Sequence, residues 1–262
     1  MELSTLIGLL AGFGALMAAV FMEGGTPAEL VGPSAALIVF GGTIGAALIS
    51  FPLKRVIAVP KLIANSFKAY KSENTATIDL LVTLADKARR EGLLSLEEDT
   101  KNIQDDFLRR GLTLVVDGVD PAQVRSILET ETELMAQRHE QGAAVLQAMG
   151  GYAPTMGIIG TVMGLVNVLS RLSEPEHLGE SIAVAFLATF YGILSANLLW
   201  LPIAGKLRAK SREEVESRQL MIEGILALQA GENPRIVREK LSAFLAPKER
   251  AKAEGSTKEA KA

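Results

Sequence analysis

"GGYAPTMGIIGTVMGLVNVL", residues 150–169, carries no charged side chain, yet it holds five glycines, two threonines and a proline. About 20 mostly apolar residues are what a helix needs to cross a hydrocarbon core of about 30 Å. This stretch meets that length and adds features that a plain leucine-rich span does not have. Extended to residues 144–169, it has three counterparts in the chain, at residues 6–21, 32–51 and 182–204. The expected fold class is therefore all-α: a polytopic membrane protein with four transmembrane helices and a helical cytoplasmic domain. The first span is the shortest. Its start, "MELSTL", lacks the basic region of a signal peptide, so it is expected to be retained.

The loops set the orientation. Residues 22–31, "MEGGTPAELV", have no Lys or Arg, and residues 171–181, "RLSEPEHLGES", have only Arg171. The second span instead runs into "PLKRVIAVPKLIANSFKAYK", and the fourth into "GKLRAKSR". Cytoplasmic flanks carry the excess of Lys and Arg, so both termini and both long polar segments are expected inside. The resulting divisions are residues 1–52 (spans one and two), 53–143 (a cytoplasmic helical domain), 144–205 (spans three and four), 206–246 (C-terminal cytoplasmic helices) and 247–262 (a disordered charged tail). Within 53–143, Gly92 breaks a helical pattern and Asp120-Pro121 marks a helix start, with proline at the first helical position. The amphipathic helix after the fourth span is expected to end at Gly231, and "PRIVREKLSAFL" to form one more short helix.

Composition excludes several chemistries. The 262 residues include no cysteine, and the two histidines, His139 and His177, have no ligand spacing around them. No phosphate-binding loop occurs: "GGTIGAALIS" lies at membrane depth and lacks the Lys-Ser/Thr ending. No nucleophile–base pair or carboxylate dyad emerges, so an enzyme is not expected, nor a cofactor or a nucleic-acid partner.

Small residues recur four apart in every span: Gly8 and Gly12, Gly41 and Gly45, Gly160 and Gly164, Gly192 and Ala196. Such spacing lets helix backbones approach closely in lipid, either within one chain or between subunits. No span has an ionisable residue in its interior, although such residues are the usual carriers of ions through a membrane. The spans offer hydroxyls, carbonyls and asparagine instead, so either the chain moves no ions or a partner helix supplies the carboxylate. Pro154 removes the bond to the Gly150 carbonyl and bends its helix. With Thr155 beside it and Thr161 two turns on, it reads as the wall of an ion path or as a structural kink. Pro202 reads as a second hinge or as a helix terminus.

In order along the chain, "STLIGLLAGFGAL", "GGTIGAALISFP", "ARREGLLSLEED", "GGYAPTMGIIGTVMGLV", "ATFYGILSANLLWLPIAGKL" and "MIEGILALQAGENPRIVREKL" resemble the A subunits of flagellar motor stators, the MotA, PomA and MotP group. The resemblance implies a subunit of the bacterial inner membrane that couples inward ion flow to torque. It implies a single-span B partner supplying the ion-binding aspartate, five A chains around two B, and a contact with the rotor switch protein. Residue by residue, Pro154 and Pro202 match the family's functional prolines, and Arg89 and Glu97 match its rotor-contacting charges, with Arg90 and Glu98 beside them. Thr161 and Thr189 resemble the pore threonines of sodium-driven members, which favours sodium over the proton as coupling ion and makes both candidate contributors to a sodium site. The opposing reading is that these hydroxyls bond back to their own helices. The rivals are an energiser of envelope transport of the ExbB/TolQ kind, which resembles a three-span design, and a solitary ion or solute transporter.

Overall fold

The computed structural model describes residues 3–68, 74–170, 178–247 and 250; residues 171–177 of the acidic loop and nearly all of the tail after Pro247 lie outside the described residues. Every regular element among the described residues is helical. In chain order these are α1 (Leu3–Met22), α2 (Pro33–Ala36, then Leu37–Gly41 and Gly42–Ser50), α3 (Leu53–Ile57), α4 (Val59–Ser66), α5 (Asn74–Glu91), α6 (Glu97–Lys101) and α7 (Asp106–Val116). There follow α8 (Pro121–Ser170), α9 (Leu178–Ser195, then Ala196–Trp200 and Leu201–Gln229) and α10 (Pro234–Ser242). Helices long and apolar enough to cross a membrane number four among the described residues; they contain three of the stretches read from the sequence whole and the second up to Ser50, one residue short of its expected end.

Two of them are far longer than a bilayer requires. α8 runs for 50 residues from Pro121 to Ser170, through position 143 without a break. Its start is set locally: the Asp120 carboxylate accepts a hydrogen bond from the Ala122 N–H at 2.9 Å, and Pro121 has no N–H to leave unpaired. Gly142 does not stop it, because a helix tolerates an isolated glycine at a cost of about 1 kcal/mol. α9 likewise continues past Pro202 to Gln229, so that proline is not a terminus. It follows a π-helical turn, Ala196–Trp200, in which the Leu201 N–H reaches back to the Ala196 carbonyl. Such turns re-space the hydrogen-bond ladder, and here the proline that lacks a donor comes next.

The chain divides into two compact units. The first comprises Met1–Tyr70 and Arg138–Ala209. Its core joins Ala35, Val39 and Ala47 of α2 to Val145, Leu146, Met149 and Ala153 of α8 and to Ala188, Ala196 and Trp200 of α9. α8 and α9 are antiparallel: a Cβ placed at Gly164 would meet Ala185, at Gly160 Ala188, and at Gly192 the Ala153 backbone. The small-residue spacing therefore has two uses. Gly160, Gly164 and Gly192 hold α8 against α9 within the chain, whereas Gly8 and Gly45 meet nothing within 4 Å. α1 has no buried residue, and Ile49 of α2 is 90% exposed. So much uncovered apolar surface requires lipid or neighbouring chains around it.

The second unit comprises Lys71–Gln137 and Lys210–Ala262. Its apolar faces meet in one core, including Leu81 and Leu84 of α5, Leu108 and Leu112 of α7, Leu128 of α8, Ile225 and Leu228 of α9, and Leu241 of α10. Caps close its helices: the Asp105 carboxylate accepts from the Leu108 N–H at 2.8 Å, and the Asn233 side chain from the Arg235 N–H at 2.9 Å. Gly231, at φ 68°, ends α9 in a conformation that favours glycine. Leu112 is fully buried. Replacing it with alanine is expected to destabilise this unit by about 2–5 kcal/mol through lost burial and a residual cavity. Limited proteolysis of the purified protein should then cut within this unit at a lower temperature than in the wild type.

Candidate functional site

Within the first unit, the α8–α9 contact sets the geometry. A Cβ at Gly157 would lie 2.8 Å from the Ala188 carbonyl oxygen and 3.0 Å from Thr189 Cα, so backbone here rests on backbone. That approach places Thr161 and Thr189 side by side, although they stand 28 positions apart, and their hydroxyls are hydrogen-bonded to each other. Thr161 Oγ1 also lies 3.2 Å from the Gly157 carbonyl and 3.0 Å from the Ala185 carbonyl, and Thr189 Oγ1 lies 3.4 Å from the Gly157 carbonyl. Two hydroxyls and two carbonyls thus share one small volume. Each hydroxyl has a single proton, so the carbonyls and the partner hydroxyl compete for it and lone pairs are left over. Both threonines are only partly buried.

Hydroxyl and carbonyl oxygens suit a hard cation, but the cluster carries no negative charge. Among the described residues no group of three or more His, Cys, Asp or Glu side chains is positioned to hold a metal ion. The arrangement gathers neutral oxygen atoms at one helix crossing and holds no anion.

Pro154 lies inside α8 at the same crossing, its Cα 3.1 Å from where a Gly192 Cβ would stand. Thr155 is not brought to the threonine pair. Six residues from Thr161, it is displaced about 9 Å along the helix, on the exposed face, and its hydroxyl donates to its own helix at the Tyr152 carbonyl, 2.8 Å away. Pro202 is exposed, ten residues beyond Gly192 on α9.

Two contacts escaped the reading of the sequence. The Tyr191 hydroxyl accepts from the Gly32 N–H at 2.8 Å and donates to the Leu30 carbonyl, tying the entry of α2 to α9. At the other end of α2, the Ser50 and Tyr152 hydroxyls are 2.7 Å apart. The only signal for either was a tyrosine in an otherwise apolar glycine-rich span, a half-buried ring whose hydroxyl needs a partner.

In the second unit, α5 ends with Arg89 and Arg90, Gly92 turns the chain at φ 86°, and the short turn Leu93–Leu96 leads into Glu97 and Glu98 at the start of α6. All four charged residues are exposed and belong to this one turn and its flanks. Arg90 pairs with Asp86 at 2.7 Å and Glu97 with Lys101 at 3.1 Å, both within their own helices. Arg89 and the Glu98 carboxylate make no ion pair among the described residues. Lys87 bonds Asp99 at 2.7 Å across the turn and closes it. That hydrogen bond raises the Lys87 ammonium above its usual pKa, against the desolvation that would lower it.

Comparison with known proteins places the chain in a family. The model of the MotA/TolQ/ExbB proton channel family matches residues 99–220, and that of the motility protein A N-terminal region matches residues 6–92. Motility protein A of Bacillus subtilis is 40% identical over 256 residues, covering 96% of this chain and 94% of that protein. Chemotaxis protein PomA of Vibrio alginolyticus is 38% identical over 245 residues, covering 94% and 96%. Among solved structures, the flagellar MotAB stator complex from Bacillus subtilis matches with a TM-score of 0.88 at 40% identity, over 95% of this chain and 98% of that one. The MotAB structure from C. jejuni matches with a TM-score of 0.89 at 32% identity, over 94% and 97%.

Proposed function

This chain belongs to the MotA/TolQ/ExbB proton channel family, and from that premise we propose that it is the A subunit of a bacterial flagellar stator, coupling inward ion flow to torque. The observation that carries the reading is the Thr161–Thr189 cluster, which gathers oxygen ligands at a helix crossing yet lacks the carboxylate that an ion path needs. A single-span B subunit of the MotB kind supplies it, as an aspartate on a helix surrounded by copies of this chain, five around two. The uncovered apolar surface of α1 and α2, including the faces of Gly8 and Gly45, is then lipid-facing or between subunits.

Sodium is the coupling ion on this reading. A dehydrating Na⁺ needs several oxygen ligands, and the two hydroxyls and their neighbouring carbonyls complement one aspartate; a proton needs only the carboxylate and water. Pro154 keeps the α8 backbone bent beside this path, Thr155 lines it, and Pro202 acts as the hinge through which α9 moves. The chain sits in the inner membrane with both termini in the cytoplasm, where Arg89, Arg90, Glu97 and Glu98 meet the rotor switch protein.

The test is rotation of tethered cells that lack their own stators and carry this chain with its B partner. Sodium is replaced by potassium while the proton-motive force is held constant. Rotation is expected to stop. Persistence would make this a proton-driven stator, with Thr161 a packing hydroxyl. Absence of rotation in both media, with both proteins in the membrane, would favour an energiser of envelope transport.

A further inference from the structure

Past the end of α2 the chain turns out of the span at once. Phe51, which precedes a proline, is extended at φ −132° and ψ 151°, and α3 and α4 follow as two short helices. Their inward face belongs to the core of the first unit. Val56 and Val59 are buried in it, Leu62 and Ile63 pack against it, and Leu62 lies 3.2 Å from where a Cβ on Gly142 of α8 would stand. The outward face is apolar as well. Leu53 and Ile57, one turn apart on α3, are 61% and 67% exposed, and they follow directly on Leu48 and Ile49, also exposed at the end of α2.

The charge here has one sign. Between Glu29 and Glu73 there is no Asp or Glu, whereas Lys54, Arg55, Lys61, Lys68 and Lys71 all fall after the span. Two arginines of this unit are turned to protein: Arg55 donates to the Gln141 side-chain carbonyl at 2.8 Å, and Arg208 to the Glu140 carboxylate at 2.8 Å and to Gln147 at 3.0 Å. Lys54 and Lys61 are exposed and make no ion pair among the described residues. Exposed leucine and isoleucine beside unmatched ammonium groups, on a segment leaving a membrane span, is the composition of a helix lying in the bilayer interface. A lysine there runs its apolar stem along the lipid and holds its charge at headgroup depth. The span anchors this segment at the bilayer surface, so lipid is the occupant already present.

We propose that Lys54, Lys61, Leu53 and Ile57 form a binding surface for anionic phospholipid of the cytoplasmic leaflet. The two ammonium groups take headgroup phosphates, Leu53 and Ile57 lie among the acyl chains, and the lipid holds α3 and α4 against α8 from outside. Each lysine contributes about fivefold in affinity at an anionic surface. The assignment rests on the orientation proposed above, which puts this flank inside, and not on the coupling ion.

The test uses the full-length chain purified with its B partner, stripped of lipid in detergent and offered equal amounts of phosphatidylglycerol and phosphatidylcholine. Retained lipid is counted by mass spectrometry. Wild type is expected to retain phosphatidylglycerol in preference. Lys54→Gln with Lys61→Gln should lower that preference by about tenfold or more, and Lys54→Arg with Lys61→Arg should keep it. Arg55→Gln should keep it too, because Arg55 is engaged by Gln141. Leu53→Ser with Ile57→Ser should lower retention of both lipids. An unchanged preference in the glutamine pair would overturn the proposal. Loss of the complex in the glutamine or serine pair would overturn it as well, by placing a neighbouring chain on this face instead of lipid. Lys54→Cys, in a chain with no cysteine of its own, tests the orientation separately. Its labelling by an impermeant maleimide from outside the membrane would overturn that orientation, and with it the leaflet assigned here, whatever the lipid preference.

Discussion

Gly192→Val is expected to abolish assembly with the B partner and all swimming. At this position a Cβ would lie 2.5 Å from the Ala153 carbonyl oxygen, 3.1 Å from Pro154 Cα and 3.2 Å from the Ala153 carbonyl carbon. All three atoms belong to the backbone, and no rotamer change moves them aside. Overpacking a core commonly costs about 1–3 kcal/mol even where side chains can yield; here two helices must separate. The damage is not local, because Gly157 makes the reciprocal contact with Ala188 and Thr189, and the threonine pair depends on the same spacing. Gly192→Ala adds the same Cβ and should already lower both assembly and swimming severely, with the two further methyls of valine removing what is left. The measurement is the yield of complex from detergent extracts, together with swimming in soft agar. Wild-type values for Gly192→Val would mean that α8 and α9 do not meet as described.

The second large effect is expected at the hydroxyls themselves. Thr189→Val and Thr161→Val keep the shape of the side chain and remove one oxygen each. Each hydroxyl oxygen is one of the few ligands that replace the water of a dehydrating Na⁺, and each 1.4 kcal/mol of lost ligation is about tenfold in affinity. On the sodium reading, the sodium concentration giving half-maximal speed should therefore rise by at least about tenfold in either variant, while Thr→Ser at the same position keeps the oxygen and most of the speed. Without the Thr189 hydroxyl, Thr161 keeps the Gly157 and Ala185 carbonyls, and without the Thr161 hydroxyl, Thr189 keeps the Gly157 carbonyl alone, so the double variant should stop the motor yet still assemble. A sodium dependence identical to wild type in both single variants would reduce the pair to a staple between helices.

Much of this protein follows from properties that a sequence carries locally. Four uncharged apolar stretches, with basic residues massed after the second and fourth, are enough for the spans and their expected orientation. The helix start at Asp120-Pro121 and the breaks at Gly92 and Gly231 depend on one or two residues each, and all three are present. The absence of an ionisable group in any span is equally plain on the page, and it leaves two readings, a chain that moves no ions or a partner that supplies the carboxylate. The family resemblance singled out Arg89 and Glu97, with Arg90 and Glu98 beside them, by their places in "ARREGLLSLEED", and the short turn Leu93–Leu96 joins the two helices that carry them.

What periodicity does not contain is the register between helices. Whether α8 stops near the membrane or runs on from Pro121 to Ser170 depends on what covers each of its turns, not on the propensity of the residues near position 143. The pairing of Thr161 with Thr189, the tie from Tyr191 to Leu30 and Gly32, and the outward faces of Gly8 and Gly45 all follow from how α2, α8 and α9 slide against one another. Hydropathy and caps act over a few residues and were legible in the chain; close packing acts between residues far apart in it, and tertiary structure alone decided where those meet.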